Sequence, residues 1–272
     1  MLAAPAAAGV LGQPGVAAEV AGAFVALCLV SSATYLVNDV RDCEQDRLHP
    51  KKRSRPVAAG ELSVRGALLA AAVMAFTGIA LATLIRPGLG ALAVGYLALT
   101  ASYSLWWRRV VVADILAIAA GFVLRALAGG VATDIYLSRL FIIVTACCAV
   151  FLVAAKRYAE LREQEARGSA QARAPMRATL RRYSGRSLRL TLFAAAAGAG
   201  IAYTSWAFTR SSHVVWYVLS IAPFLLWLAR YARLIGAGAG QAPEELILRD
   251  KTLLMLSVAW GLLFLGGVYV GR

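Results

Sequence analysis

Charged residues are scarce in this 272-residue chain: 15% are Asp, Glu, Lys or Arg, against about 25% in an average soluble domain. Hydrophobic residues make up 60% of the chain, and the mean hydropathy is +0.69. Several apolar runs reach the roughly 18–20 residues that cross a bilayer as a helix. They lack the strict alternation of polar and apolar residues that is typical of barrel strands. The composition therefore excludes a soluble domain and predicts an all-α, polytopic membrane protein.

Paired cysteines and a charged leader are also lacking. No C-x-x-C pair occurs, and three of the four cysteines lie in apolar runs, which favours small buried side chains over a disulfide or a metal set: Cys28, Cys43, Cys147 and Cys148. Met1 sits directly on an apolar stretch, without the charged start of a cleavable signal. Because a first membrane helix usually has a polar leader, we expect residues upstream of Met1 to be missing.

Eight hydrophobic runs predict membrane helices, at 16–38, 63–85, 88–107, 111–131, 138–158, 187–209, 213–233 and 251–270. We interpret the apolar segment 2–12 as the remnant of a ninth helix. Pro87, Gly88 and the glycine-rich run GAGAGQAP, which ends at Pro243, mark breaks between helices. We expect a single transmembrane domain over 1–272, with no soluble module.

Basic residues concentrate in alternate loops. If 38–65 is cytoplasmic, the loops 107–110, 156–189 and 230–251 lie on the same side, and the four stretches together hold 23 of the 28 Lys and Arg residues. The positive-inside rule then orients these loops toward the cytoplasm. The sequence predicts a multi-pass protein of the plasma (inner) membrane whose polar chemistry faces the cytoplasm. The net charge of +14 also favours contact with anionic lipid.

Acidic residues cluster where the first long helix reaches the cytoplasm, in LVNDVRDCEQD. If that helix continues for two more turns, Asn38, Asp42 and Asp46 fall at i, i+4 and i+8 on one stripe, with Asp39 beside it. Carboxylates this close repel each other, and a divalent cation removes the conflict. Carboxylate and amide oxygens suit Mg²⁺. The alternative is a solvated helix end with aspartates in a turn.

A basic run, HPKKRSRP, follows directly at 49–56. A metal ion combined with lysine and arginine is how proteins hold a pyrophosphate, since the ion bridges oxygens and the arginine adds a bidentate contact. The two runs together therefore predict a magnesium–diphosphate site.

The spacing N-D-x-x-D-x-x-x-D followed by H-P-x-K-x-x-R-P resembles the UbiA superfamily of intramembrane prenyltransferases. The matching positions are Asn38, Asp39, Asp42, Asp46, His49, Pro50, Lys52, Arg55 and Pro56. The resemblance spans essentially the whole chain and implies a bundle of eight to nine transmembrane helices around a central cavity open to the cytoplasm.

One motif departs from the family pattern. Most members carry a second acidic motif, K-D-x-x-D, which binds the diphosphate of an isoprenoid donor through a second Mg²⁺. Here the corresponding run is KRYAE: Lys156 matches, Arg157 replaces the first aspartate and Glu160 the second. An added cation suits a ligand with an extra phosphate.

The runs KRYAEL, LVNDVRD and RALAGGVAT resemble one branch of the family. Members of that branch are pentosyl-type glycosyltransferases of arabinogalactan and lipoarabinomannan cell-wall synthesis. They move the 5-phosphoribosyl group from phosphoribosyl pyrophosphate to decaprenyl phosphate and release pyrophosphate. The resemblance implies those two substrates, Mg²⁺ and membrane lipids as partners; it implies no nucleic acid and leaves room for a homo-oligomer.

The resemblance also implies residue roles. The metal and catalytic set is Asn38, Asp39, Asp42 and Asp46, and the leaving pyrophosphate contacts His49, Lys52 and Arg55. Lys156, Arg157 and Glu160 are expected at the sugar-phosphate end of the donor. Glu160 has an alternative, a plain i, i+4 salt bridge with Lys156.

Other polar residues have two interpretations each. Arg125 lies inside a membrane helix, where charges are usually functional; it binds a phosphate or makes an interhelical bond. Tyr103, beside the interfacial pair Trp106 and Trp107, contacts the substrate or belongs to an anchor belt. The segment 243–251 closes over the donor or is a helix start with acids in its first turn. Asp114 fits the same helix-start interpretation.

Two competing functions remain. The first is a prenyltransferase that moves an isoprenoid from its diphosphate to an aromatic or glycerol-phosphate acceptor; Arg157 in place of the family aspartate argues against it. The second is a transporter or channel, in which polar groups lie near the bilayer midplane on broken helices. Here the acids lie at one face of the membrane.

Overall fold

The computed structural model describes residues 1–50, 52–107, 110–167, 183–209, 214–238 and 243–270. Over these ranges the chain forms an all-helical bundle whose helices, α1 to α12 in chain order, are Ala3–Ala7, Val16–Arg41, Cys43–Arg47, Pro56–Ala59, Val64–Ile85, Pro87–Leu105, Val111–Ala132, Arg139–Arg167, Gly185–Phe208, Val214–Gly236, Pro243–Arg249 and Lys251–Tyr269. Eight of these described helices are long and apolar enough to cross a membrane: α2, α5 to α10, and α12. The predicted fold class is confirmed.

The eight predicted helices match these eight spans closely, and the largest difference is at α8. That helix was predicted to stop at 158 and extends to Arg167. The added turns contain LREQEAR, which is polar but rich in strong helix formers, so the helix continues beyond the apolar run. The segment 2–12, interpreted as an incomplete ninth helix, contains the short helix α1.

Side chains and prolines set where the helices begin. Ser63, Ser184 and Asp250 are N-caps whose side-chain oxygens accept a backbone N–H from the first turn of α5, α9 and α12, at 3.1, 3.2 and 2.8 Å. Pro87 occupies the first turn of α6, where its missing N–H costs nothing. Local sequence therefore fixes the starts of these four helices.

The long helices pack in neighbouring pairs, α2 along α5, α8 along α9, and α10 along α12. Close approach of the first pair depends on Gly78, where a Cβ atom would lie 2.7 Å from the Ala26 carbonyl oxygen. Helix α7 contacts α2, α6 and α8. It also contributes to both large cores, through Ala128 on the side of α2 and Ile115 on the side of α8. Helix α7 therefore lies between the two halves of the bundle.

Candidate active site

The aspartates of the first polar run lie on either side of a helix break. Helix α2 ends at Arg41 rather than continuing, and Asp42 leaves helical geometry with φ −93° and ψ 5°. The backbone spacing nevertheless persists, because Asp42 N donates to Asn38 O and Asp46 N donates to Asp42 O, each at 2.8 Å. The predicted two further turns are therefore formed in part, as the short helix α3 after the break.

Arg55 joins two of these carboxylates. Its Nη1 atom lies 2.8 Å from Asp39 Oδ1 and 2.9 Å from Asp46 Oδ2. Asp46 is 3% exposed, so one carboxylate of the pair is shielded from water while the Arg55 side chain remains 40% exposed. The two acids thus converge on one position for positive charge, and the cation at that position sits on a partly exposed side chain.

The segment between α3 and α5 folds back so that Arg55 reaches the acids. The Cys43 thiol donates to Val57 O at 3.6 Å, and Arg47 Nε donates to Ala58 O at 3.2 Å. Pro56 starts α4, and Gly60 ends it with φ +83°, in the left-handed region that glycine adopts without strain. These contacts close the loop against the end of α2.

The remaining basic residues of the run are more exposed. Lys52 Nζ lies 3.9 Å from Asp46 Oδ1, and its side chain is 48% exposed. His49 Nδ1 accepts the Lys52 backbone N–H at 3.3 Å, within the turn that precedes the 3₁₀ segment Lys52–Ser54. Lys51 lies outside the described residues. Lysine and arginine therefore surround the acidic pair on its water-facing side.

A second polar cluster surrounds Asp114, in the first turn of α7. Asp114 is 1% exposed. Arg157 Nε donates to its Oδ2 at 2.6 Å and Arg157 Nη2 to its Oδ1 at 3.1 Å. The Tyr103 hydroxyl donates to Oδ1 at 2.6 Å, and the Tyr183 hydroxyl to Oδ2 at 3.3 Å. Helices α6, α7 and α8 and the residue before the Ser184 N-cap thus meet at one carboxylate.

The KRYAE run divides between the interior and the surface. Arg157 is 3% exposed, and its Nη1 donates to Glu160 Oε2 at 2.9 Å. Glu160 is 17% exposed, while Lys156 points outward and is exposed. The ion pair of Glu160 is thus with Arg157 at i, i+3. The alternative with Lys156 at i, i+4 is not formed among the described residues.

Tyr183 keeps its proton in this environment. Burial raises the pKa of its hydroxyl, and the neighbouring Asp114 charge raises that pKa further. A protonated hydroxyl donates a hydrogen bond to the carboxylate.

The two clusters are connected through the end of α6. The Arg41 guanidinium, on the last residue of α2, donates to the Ser104 carbonyl oxygen. Ser104 follows Tyr103, whose hydroxyl contacts Asp114. Both polar clusters therefore lie at the same end of the bundle, and Tyr103, with its two interpretations of substrate contact and interfacial anchor, belongs to the second cluster.

Arg125 lies deeper along α7 and away from both clusters. Its guanidinium donates to the Tyr96 hydroxyl and stacks over the rings of Tyr96 and Phe122, at 5.2 and 5.5 Å from the ring centres. Tyr96 belongs to α6 and is 3% exposed. Of the two interpretations, the interhelical bond is formed.

A family model described as "UbiA prenyltransferase family" matches residues 1–258 of this chain. The chain belongs to this family. UbiA-family relatives named decaprenyl-phosphate phosphoribosyltransferase are 40% identical in Corynebacterium glutamicum, over 93% of this chain and 76% of the relative, and 39% identical in Mycobacterium tuberculosis, over 90% and 80%. A UbiA homolog from Archaeoglobus fulgidus, solved bound to GPP and Mg²⁺, shares the fold: the TM-score is 0.69 at 15% identity, over 93% of this chain and 87% of that one.

The acidic pair has donor groups of the type that a divalent cation binds. Among the described residues, no group of three or more His, Cys, Asp and Glu side chains is arranged to hold a metal. Mg²⁺, however, typically takes one or two carboxylates and completes its shell with waters and substrate phosphates. Asp39 and Asp46 supply two carboxylates that already converge on one cationic nitrogen, so the donor set is sufficient when a diphosphate is present.

Two residues of the second cluster were missed by the sequence analysis. Asp114 was interpreted as an ordinary acid at a helix start, and Tyr183 lies within the predicted loop 156–189, of which only the charged residues were interpreted. A signal for Asp114 was present: its helix is otherwise apolar for more than ten residues, and a carboxylate there needs a buried partner. Arg157, the unusual cation, is that partner.

Proposed function

We propose that this UbiA-family chain transfers the 5-phosphoribosyl group of phosphoribosyl pyrophosphate to decaprenyl phosphate, with release of pyrophosphate. The observation that carries the proposal is the alignment of relatives named decaprenyl-phosphate phosphoribosyltransferase over nine-tenths of the chain. The polar residues support it, because they form one acidic pair and one arginine-centred cluster instead of two acidic motifs.

The donor's pyrophosphate binds at the acidic pair in this proposal. Asp39 and Asp46 would hold Mg²⁺, with Asn38 and Asp42 as the further ligands predicted from the motif. When bound, the ion neutralises charge that develops on the leaving pyrophosphate. Arg55 and Lys52 lie within 4 Å of the carboxylates. Their exposed ends can turn from the acids to the pyrophosphate oxygens, where Arg55 makes a bidentate contact, and His49 lies in the same turn.

The acceptor needs no strong base. A phosphate monoester has a second pKa of about 6, so decaprenyl phosphate is already largely ionised at neutral pH. Its oxygen attacks C1 of the ribose as the bond to pyrophosphate breaks. The chain's contribution is to position the two substrates and to stabilise the leaving group.

The sugar-phosphate end of the donor is assigned to the KRYAE run. Glu160 is partly exposed and can accept hydrogen bonds from ribose hydroxyls, and the exposed Lys156 can contact the 5-phosphate. Arg157 is buried against Asp114, so its direct contact with the donor, expected from the sequence, gives way to a role behind Glu160.

The site faces the cytoplasm in this proposal. Both polar clusters lie where α2 and α6 end and α7 begins, and the sequence predicts that most of the basic residues lie in loops on this side. Phosphoribosyl pyrophosphate is highly charged, so it reaches an active site on the aqueous side of the membrane more readily than one within the bilayer.

A paired assay on purified protein with Mg²⁺ tests the proposal. One reaction contains labelled phosphoribosyl pyrophosphate and decaprenyl phosphate; the other contains a labelled prenyl diphosphate with aromatic and glycerol-phosphate acceptors. We expect lipid-soluble label in the first reaction alone, lost when the metal is chelated. Label only in the second would overturn the phosphoribosyl assignment and favour a prenyltransferase, the activity that the family name suggests.

A further inference from the structure

The carboxylate of Asp114 is fully used by the chain itself. Each of its oxygens accepts two hydrogen bonds: Oδ1 from Tyr103 at 2.6 Å and Arg157 Nη2 at 3.1 Å, and Oδ2 from Arg157 Nε at 2.6 Å and Tyr183 at 3.3 Å. A carboxylate offers about four acceptor positions. Asp114 therefore has no capacity left for a metal ion or a substrate hydroxyl, and its role is to hold other side chains.

Arg157 links Asp114 to Glu160, which lies closer to the surface. Two of its N–H groups bind Asp114, and Nη1 binds Glu160 Oε2 at 2.9 Å. Exposure rises along the line from 1% at Asp114 and 3% at Arg157 to 17% at the Glu160 side chain. One cation between two acids leaves a formal charge of −1, and the water-accessible end of the line is the Glu160 carboxylate.

A buried ion triplet of this kind is poorly explained by stability alone. Removing charges from water costs several kcal/mol per ion, and well-packed apolar residues in their place are often as stable or more stable. The surroundings are apolar, with Ile115 and Tyr158 in the same core. The triplet fixes the orientation of the Glu160 side chain. The Arg157 guanidinium is planar, and its bidentate contact with Asp114 restricts its rotation.

We propose that Asp114 is a positioning residue, which holds the Glu160 carboxylate, through Arg157, at the place where the ribose of the donor binds. This inference rests on the proposed phosphoribosyl transfer. The role of Arg157 also differs from the one expected from the sequence. It does not bind an extra phosphate, but is the counter-ion of Asp114 on α7.

A double-mutant cycle tests the proposal. One arm is Asp114→Asn with Arg157→Gln, a neutral amide pair that leaves no unpaired buried charge. The other arm is Glu160→Gln. We expect each arm to lower kcat/KM for phosphoribosyl pyrophosphate about 100-fold, the effect of a displacement of about 1 Å in a reacting geometry, and the combined variant to lose no more than a further few-fold. Non-additivity of this size means that the pair acts through Glu160.

Two outcomes overturn it. Losses that multiply to about 10⁴-fold in the combined variant would mean that the pair and Glu160 act independently. Wild-type kcat/KM in the folded amide-pair variant would mean that the Asp114 cluster is not needed to position Glu160. Size-exclusion behaviour and the thermal midpoint establish that each variant is folded.

A milder variant covers the case in which the amide pair does not fold. Tyr183→Phe removes one hydroxyl from Asp114 and no charge, and we expect a three- to tenfold lower kcat/KM, the effect of one hydrogen bond. Tyr231→Phe is the matched control, a buried tyrosine of the same core that lies on α10, outside the Asp114 cluster and the KRYAE run, and we expect its kcat/KM to be unchanged. Equal values for both variants would contradict the proposal.

Failure of the proposed function is recognised separately. If the wild-type chain transfers no phosphoribosyl group, the activity assignment is wrong. The structural part of the proposal, that Asp114 holds Arg157 and Tyr183 in place, is then tested by amide hydrogen exchange. The amide-pair variant should exchange several-fold faster at the start of α9, where Tyr183 is anchored. Unchanged exchange there would mean that Asp114 does not hold these side chains in place, and it would overturn this inference as well.

Discussion

At the scale of single residues, the site contains two arginines, and each of them bridges two carboxylates. Arg55 bridges Asp39 and Asp46, and Arg157 bridges Asp114 and Glu160. The two arginines differ in exposure, 40% for the side chain of Arg55 and 4% for that of Arg157. In the proposed function, the exposed side chain of Arg55 leaves its acids when a metal and a diphosphate bind, while the buried side chain of Arg157 stays in place.

The metal role of the first cluster predicts the effect of Asp39→Asn. This change removes a carboxylate charge at nearly constant size, and we expect turnover to fall on the order of 100-fold or more, because charge on the leaving group is no longer stabilised. Mg²⁺ added together with pyrophosphate should raise the thermal midpoint of the wild-type chain and not that of the variant. Glu44→Gln is the control, an exposed acid one turn away; if it has the same effect, the assignment of the pair is wrong.

Asp250 predicts a dependence of stability on pH. The hydrogen bond from Arg230 lowers the pKa of this carboxyl below its ordinary value of 3.8, and the Leu253 backbone N–H lowers it further. Because the folded-state pKa is the lower one, the stabilisation is complete above the unfolded-state pKa and is lost as the pH falls through the folded-state value. Asp250→Asn keeps the N-cap, so the wild-type thermal midpoint should exceed that of the variant at neutral pH.

The difference in thermal midpoint between the wild type and Asp250→Asn should decrease at acidic pH. Below about pH 4 the unfolded wild-type chain takes up a proton at this carboxyl, so the two thermal midpoints should converge. A difference that stays constant down to pH 3 would show that the charge of Asp250 makes no contribution. Arg230→Gln should reproduce the behaviour of Asp250→Asn, since the two side chains form one pair at 2.7 Å.

At the scale of helices, the packing of α2 against α5 predicts the effect of Gly78→Ala. The new Cβ would lie 2.7 Å from the Ala26 carbonyl oxygen and 2.8 Å from Val30 Cγ2. Backbone cannot yield as a flexible side chain does, so the helices must separate, at a cost of about 1–3 kcal/mol. We expect a lower thermal midpoint in detergent. Gly95→Ala is the matched control, because its Cβ would meet nothing within 4 Å, and it should be neutral or stabilising.

Helix identity was predicted well and helix ends less well. The apolar runs define eight spans because the bilayer requires a minimum length of apolar helix. The extension of α8 to Arg167 and the break at Asp42 were not predicted. The first follows from helix propensity beyond the membrane edge. The second depends on contacts of the returning loop, such as Cys43 with Val57, which are distant in sequence.

At the scale of the whole molecule, charge asymmetry predicts the orientation. Arg53→Cys lies in the loop assigned to the cytoplasm, and Tyr136→Cys, at a position 86% exposed, lies between α7 and α8 at the opposite end. We expect a membrane-impermeant thiol reagent to label Arg53→Cys in inside-out vesicles and Tyr136→Cys in right-side-out vesicles. The native chain measures background labelling from its four cysteines. The reverse pattern would overturn the cytoplasmic active site.

The sequence by itself determined the class of fold, the number of spans, the family and the first polar cluster. These depend on local quantities, namely the length of apolar runs and the spacing of acidic residues within one short motif, which can be recognised without knowing what each residue contacts. The family resemblance then supplied the expected chemistry.

Only the tertiary structure decided which acid each arginine meets. Arg157 and Asp114 are 43 positions apart, and Tyr183 is 69 positions from Asp114. Their contact arises because α7 packs against α8 and the chain returns at the start of α9. In an apolar interior each charge must find a partner, but periodicity and spacing do not say which one. For that reason Arg157, which the sequence presented as a ligand of the donor, is the counter-ion of Asp114.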